Sequence, residues 1–160
     1  MILISHRGNI DGPNPSKENK PSYITNAINT GFNVEVDFWF IRNKFYLGHD
    51  EPQYDIPFEW FVNNHNKLWI HCKNVDAINK FVDIDRNGVY LNYFWHEDDK
   101  VTLTSKGYLW AYPGVKCDNG ITVLPEKNMK METWDIDLKL KEDISQYHQL
   151  IVNKTCVVNI

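Results

Sequence analysis

Three short runs in this chain bring ionisable side chains into spacings that could do chemistry: His6-Arg7-Gly8, Glu35-Val36-Asp37 and His71-Cys72-Lys73. Each lies on, or closes, an apolar run that reads as a strand. Side chains alternate faces along a strand, so Glu35 and Asp37 share one face, as do His71 and Lys73. Val34, Val36, Ile70 and Cys72 then point the other way, towards covering helices. Carboxylates two residues apart on one strand can both offer oxygen to a hard cation such as Mg²⁺ or Ca²⁺. Arg7 and Lys73 suit an anion instead, Arg by two-pronged contact and Lys as a point charge. Carboxylates, cations and two histidines together equip a site for attack on a phosphodiester. Metal and basic residues would offset the charge that grows on the phosphate, while one histidine takes a proton and the other gives one. Any one of these runs alone says little, and the force of the reading is that three strand ends carry them together.

The elements that must hold these residues follow from turn signals and periodicity. Asn9 to Lys20, with Gly12, Pro13 and Pro15, reads as a loop. Pro21 suits a first helical position, Tyr23, Ile24, Ala27 and Ile28 share one helical face, and Gly31 ends that helix. A strand over Asn33 to Phe40 turns at Arg42-Asn43 and returns through Lys44 to Gly48. Pro57 to Val62 reads as a short helix and Leu68 to Lys73 as a strand. Asn74 caps a helix with Val75, Ile78, Phe81 and Val82 on its apolar face. Further strands are expected at Val89–Tyr93, Tyr108–Tyr112, Ile121–Leu124 and Thr155–Val158, with a helix between Lys139 and Leu150.

Strands alternating with helices through the first half predict a parallel sheet with right-handed crossovers. The gaps from Tyr93 to Tyr108 and from Tyr112 to Ile121 are too short for comfortable helices. An ordinary eight-stranded barrel of this kind takes about 200 residues or more. The expected fold is therefore α/β, a shortened TIM-type barrel with parallel strands and some helices missing in the second half, spanning 1–160 as one domain. In such folds chemistry gathers at the carboxyl ends of the strands.

Composition agrees with one globular domain: 160 residues, 42% hydrophobic and 14% aromatic. Seventeen Lys and Arg against twenty-one Asp and Glu give a net charge of −4, which argues against a nucleic-acid partner. No apolar run approaches the roughly eighteen residues of a membrane span. The stretch Met1-Ile2-Leu3-Ile4-Ser5-His6 is too short and too quickly polar for a signal peptide. Three cysteines, Cys72, Cys117 and Cys156, lack metal-type spacing and suit a reducing compartment, so a cytoplasmic location is expected.

The order His6-Arg7-Gly8, then Glu18-Asn19 before a helix, then Glu35-x-Asp37, then His49-Asp50 resembles the glycerophosphodiester phosphodiesterase family, whose pattern is HRG, P-E-N-T, E-x-D and H-D. The resemblance covers roughly the first 75 residues. It implies a phosphodiesterase-type α/β barrel, with His6 and His49 as the acid–base pair and Glu35 and Asp37 as metal ligands. By the same resemblance Arg7 and Lys73 hold the substrate phosphate. The family places a Glu two residues before that lysine as a third ligand, where this chain has His71. Mg²⁺ or Ca²⁺ is the metal the resemblance implies, whereas an imidazole ligand suits Mn²⁺ or Zn²⁺ better. The P-E-N-T segment reads Lys17-Glu18-Asn19-Lys20, keeping only its two central residues.

Candidates to line the rest of the pocket come from the second half. Trp95 and His96 follow the fourth strand, Trp110 belongs to the fifth, and Glu126 follows the sixth. The functional expectation is metal-dependent hydrolysis of a glycerophosphodiester or related small phosphodiester, the substrate being a small molecule. The alternative is a catalytically weak module that binds a phosphorylated headgroup on the same barrel.

Overall fold

The computed structural model describes residues 2–113, 115, 117 and 120–123, together with the backbone of 155–158. The first strand, β1 (Ile2–His6), leads through the polar loop to helix α1 (Pro21–Asn29). Pro21 stands in the first helical turn, and Gly31, at φ 102°, turns the chain out of the helix. Strand β2 (Asn33–Ile41) then meets β3 (Lys44–Leu47) across Arg42 and Asn43, both at positive φ. Two such residues make the tight turn whose twist matches an antiparallel hairpin. β4 (Tyr54–Ile56) adds a third strand to this meander, followed by α2 (Phe58–Asn64) and β5 (Leu68–Cys72). The Asn74 side chain accepts a hydrogen bond from the Ala77 amide at 3.0 Å and so starts α3 (Val75–Arg86).

Strand β6 covers Tyr93–Trp95 rather than the expected Val89–Tyr93. The reason lies in the helix before it. The amides of Gly88 and Val89 bond back to Asp85 and Ile84, so the chain is still closing α3 where a strand was expected. The remaining strands are β7 (Val101–Leu103), β8 (Leu109–Ala111), β9 (Ile121–Thr122) and β10 (Thr155–Val158).

The TIM-type barrel expected from the sequence is not what forms. All ten strands belong to one mixed sheet, ordered β4-β3-β2-β1-β10-β9-β8-β7, with β5 on the other edge of β2 and β6 beyond it. Only β1–β2, β2–β5, β5–β6 and β8–β9 pair in parallel. β10 runs antiparallel to β1, and β7–β8 is an antiparallel hairpin. Three short helices are found among the described residues, all before residue 87. The link from β7 to β8 is far shorter than the roughly dozen residues a parallel crossover needs, so these two strands form an antiparallel hairpin. No ladder joins β6 to β7 among the described residues, so the sheet does not close. Strand β4 and the β7–β8 hairpin went unforeseen, and the helix expected between Lys139 and Leu150 falls outside the described residues.

The two faces of the sheet carry separate cores. One buries Val34, Val36, Phe38, Leu68, Ile70 and Cys72 beneath the helices. Here Phe38 stacks on Phe81 at 4.4 Å and meets Phe61 edge-on at 5.1 Å. The other face buries Ile4, Trp69, Phe94, Trp110, Ile121 and Val123. Alternation puts His6, Glu35, Asp37 and His71 on this second face, above that aromatic floor. No helix among the described residues is long and apolar enough to cross a membrane.

Candidate functional site

Strands β1, β2 and β5 lie side by side in parallel, and their register brings the ionisable residues level. His6 sits opposite Glu35, and Asp37 sits opposite His71. Asp37 is at the centre and has no solvent exposure. Its Oδ2 pairs with Arg7 Nε at 2.9 Å and accepts a hydrogen bond from Asn19 Nδ2 at 2.8 Å. Its Oδ1 lies 3.1 Å from His71 Nδ1 and 3.6 Å from Lys73 Nζ. Burial alone would raise the pKa of this carboxyl. The His71 hydrogen bond and the Arg7 and Lys73 charges overcome that and hold Asp37 well below the usual carboxylate range.

Glu35 has the opposite fate. Burial, and then the neighbouring Asp37 charge, push its pKa well above the usual carboxylate range. Its Oε2 is shielded from water and has no hydrogen-bond partner among the described residues, and His6 Nε2 lies 3.7 Å away. Burial also lowers His6, to about 3, with the adjacent Arg7 guanidinium adding to the effect. The His6 imidazole is therefore neutral at ordinary pH. His49 stands further out, its side chain 41% exposed and its Nδ1 paired with Asp50 at 2.7 Å, near enough that its charge counts against protonating His6.

Glu35, Asp37 and His71 each offer one ligand atom, and these atoms lie within 4.8 Å of one another. The donor set of two carboxylate oxygens and one imidazole nitrogen fits a divalent ion. The orphaned Glu35 oxygen is what such an ion would satisfy. The seven residues of the proposed site core thus come together: His6, Arg7, Glu35, Asp37, His71 and Lys73 around Asp37, and His49 at the rim.

The further candidates divide. Trp110 is buried in the floor, stacked on Phe94 at 4.6 Å. Trp95 points to the opposite face and packs on the helix-covered core. His96 follows β6 on the site side, its ring 6.2 Å from that of His71 and its backbone oxygen 3.0 Å from His71 Nε2. Burial first, and then His71, lower its pKa. Glu126 lies outside the described residues.

Two groups gain roles that the sequence reading did not give them. Glu18 accepts from Arg7 Nη1 at 3.1 Å and from Asn9 Nδ2 at 2.8 Å, which fixes the guanidinium. Asn19 grips Asp37 twice, donating to its carboxylate and accepting from its amide at 2.9 Å. The signal for both was the Glu18-Asn19 pair ahead of the helix. Phe94 stacks flat against His71 at 5.1 Å, and only alternation back from His96 would have pointed to it.

The depressions lined by Ile41, Arg42 and Tyr46, and by Asp11, Lys17 and Lys20, share no residue with this cluster. In comparisons with known proteins, no family model, no curated protein and no solved structure matches the chain.

Proposed function

We propose that this protein is a metal-dependent phosphodiesterase acting on a small phosphodiester, of which a glycerophosphodiester is the first candidate. The observation that carries the reading is the juxtaposition around Asp37 of an incomplete oxygen–nitrogen cluster, Glu35, Asp37 and His71, with the two cations Arg7 and Lys73. The similarity of the ordered motifs to the glycerophosphodiester phosphodiesterases supports the same chemistry. When bound, a divalent ion supplies Lewis-acid polarisation of a phosphate oxygen. Arg7 and Lys73, each less than a fifth exposed, hold the remaining phosphate oxygens and offset their charge. His6, held neutral beside the cluster, would take a proton at Nε2 as a bound phosphate offsets the Arg7 charge that opposes it. His49, at the exposed rim, exchanges a proton with the group that enters or leaves from solvent. An imidazole ligand favours Mn²⁺ or Zn²⁺ over Mg²⁺ or Ca²⁺. The net charge of −4 supports a small-molecule substrate over nucleic acid, and the cysteine usage a cytoplasmic setting.

A second reading, binding of a phosphorylated headgroup without turnover, is favoured by the saturation of Asp37. Arg7, Asn19, His71 and Lys73 already engage it, so the cations balance the carboxylate without an ion. Product release from a panel of glycerophosphodiesters, with chelator and then with Mg²⁺, Ca²⁺, Mn²⁺ and Zn²⁺ in turn, separates the two. The phosphodiesterase reading expects metal-dependent turnover that falls at least about a hundredfold in His6→Ala or His49→Ala. Absence of turnover with every metal, from folded protein, leaves the binding module.

A further inference from the structure

The partners of Asp37 divide unevenly between its two oxygens. Oδ2 is filled, with Arg7 Nε 2.9 Å away and Asn19 Nδ2 2.8 Å away. Oδ1 faces His71 Nδ1 at 3.1 Å and Lys73 Nζ at 3.6 Å, the second beyond ordinary hydrogen-bond length. An ion shared by Glu35, Asp37 and His71 therefore takes Asp37 through Oδ1, the oxygen that already looks towards the imidazole. The cation that stands against that oxygen is Lys73.

The two cations around Asp37 are not held alike. Arg7 is gripped from two sides, since Glu18 accepts from its Nη1 at 3.1 Å while its Nε faces Asp37. Lys73 has Asp37 as its only ion-pair partner among the described residues. Its backbone is pinned, the amide donating to the Phe38 carbonyl oxygen at 2.8 Å, so any movement belongs to the flexible stem. The side chain is 19% exposed, which leaves the ammonium a way outwards. A divalent ion and an ammonium group repel strongly when they meet on one buried carboxylate oxygen. An ion entering the cluster thus turns Lys73 off Asp37, and the displaced charge is then free for an anion.

We propose that Lys73 is a built-in competitor of the divalent ion: its ammonium occupies Asp37 Oδ1 until an ion displaces it towards the phosphate, so that ion and anion bind as a coupled pair. This rests on the phosphodiesterase reading for its ion and anion, but its test needs no turnover. Mn²⁺ and inorganic phosphate are titrated calorimetrically into the metal-free full chain, each alone and each in the presence of the other. Wild-type protein is expected to bind each at least about tenfold more tightly when the other is present, by the same factor in both directions. Lys73→Met keeps the stem and drops the charge. This variant binds Mn²⁺ alone at least about fivefold more tightly than wild type, and its coupling falls below about threefold. Lys73→Arg, which keeps the charge, brings Mn²⁺ affinity back towards the wild-type value and restores part of the coupling. A lysine that only holds phosphate would leave the affinity for Mn²⁺ alone unchanged when its charge is removed. That result would overturn the assignment, as would full coupling in Lys73→Met, wild-type affinities independent of the other ligand, or binding of neither ligand. Coupled binding in a protein that cleaves no phosphodiester would remove the phosphodiesterase reading and leave the Lys73 exchange standing. Turnover with uncoupled binding would do the reverse.

Discussion

Asp37 and Glu35 are two carboxyls on one face of one strand, yet their surroundings drive them apart. Asp37 is ringed by cations and stays ionised, while Glu35 is left to burial and its neighbour's charge and favours the proton. His6 is likewise held in its neutral form, and this has a consequence for stability. The unfolded chain takes up a proton on His6 near pH 6.5, whereas the folded chain resists until about pH 3. Stability contributed by the neutral ring is therefore full above pH 6.5 and is lost as pH falls through that window, by up to about 1.4 kcal/mol per pH unit. Urea midpoints measured from pH 7 to pH 4 are expected to fall steeply in the wild type and more gently in His6→Asn. Parallel curves for the two proteins would mean that His6 is not held neutral by the fold.

At the scale of elements, three parallel strands do the positioning and one loop locks it. The loop from Asn9 to Lys20 is pinned by Ser5 to the Asn9 carbonyl oxygen at 2.9 Å, by Glu18 to Arg7, and by Asn19 to Asp37. Asn19 holds a left-handed backbone at φ 60°, a conformation that asparagine tolerates better than most residues. Asn19→Ala removes both hydrogen bonds to Asp37 and leaves a buried carboxylate and amide short of partners. We expect a loss of about 1–3 kcal/mol in stability and a weakening of metal binding by about tenfold to a hundredfold. Urea denaturation and a Mn²⁺ titration of the variant check the two effects. Unchanged values for both would show that the loop merely covers the site. The loop after β3 is equally constrained. A side chain at Gly48 would run into the Glu51 carbonyl oxygen, and Trp39 Nε1 donates to the Gly48 carbonyl at 2.7 Å, which fixes the approach of His49.

At the scale of the whole molecule, the first half was legible in the sequence and the second was not. Up to residue 86, apolar periodicity is strong, Pro21 and Asn74 mark helix starts, and Arg42-Asn43 marks a hairpin, so local signals and final structure agree except at the three-residue β4. The alternation of Glu35 and Asp37 against Val34 and Val36 gave the two faces of β2 correctly. Beyond residue 86 the described strands are two to four residues long, too short for a period to show. Their pairing is set by partners far along the chain, such as β10 against β1, and no local signal carries that. The barrel expectation failed there, because parallel pairing was expected of strands that instead pair antiparallel, β7 with β8 and β10 with β1. The site survives that correction, since it needs only β1, β2 and β5 in register with β6 beside them.

Glu35, Asp37 and His71 are proposed to hold a divalent ion, and the deciding experiment is a calorimetric titration of Mn²⁺ into metal-free wild type and Glu35→Gln at pH 7. One ion is expected to bind per wild-type chain, with a heat that depends on the buffer as Glu35 gives up its proton, and with affinity at least about a hundredfold weaker in the variant. No binding by the wild type, or equal binding by both proteins, would contradict it.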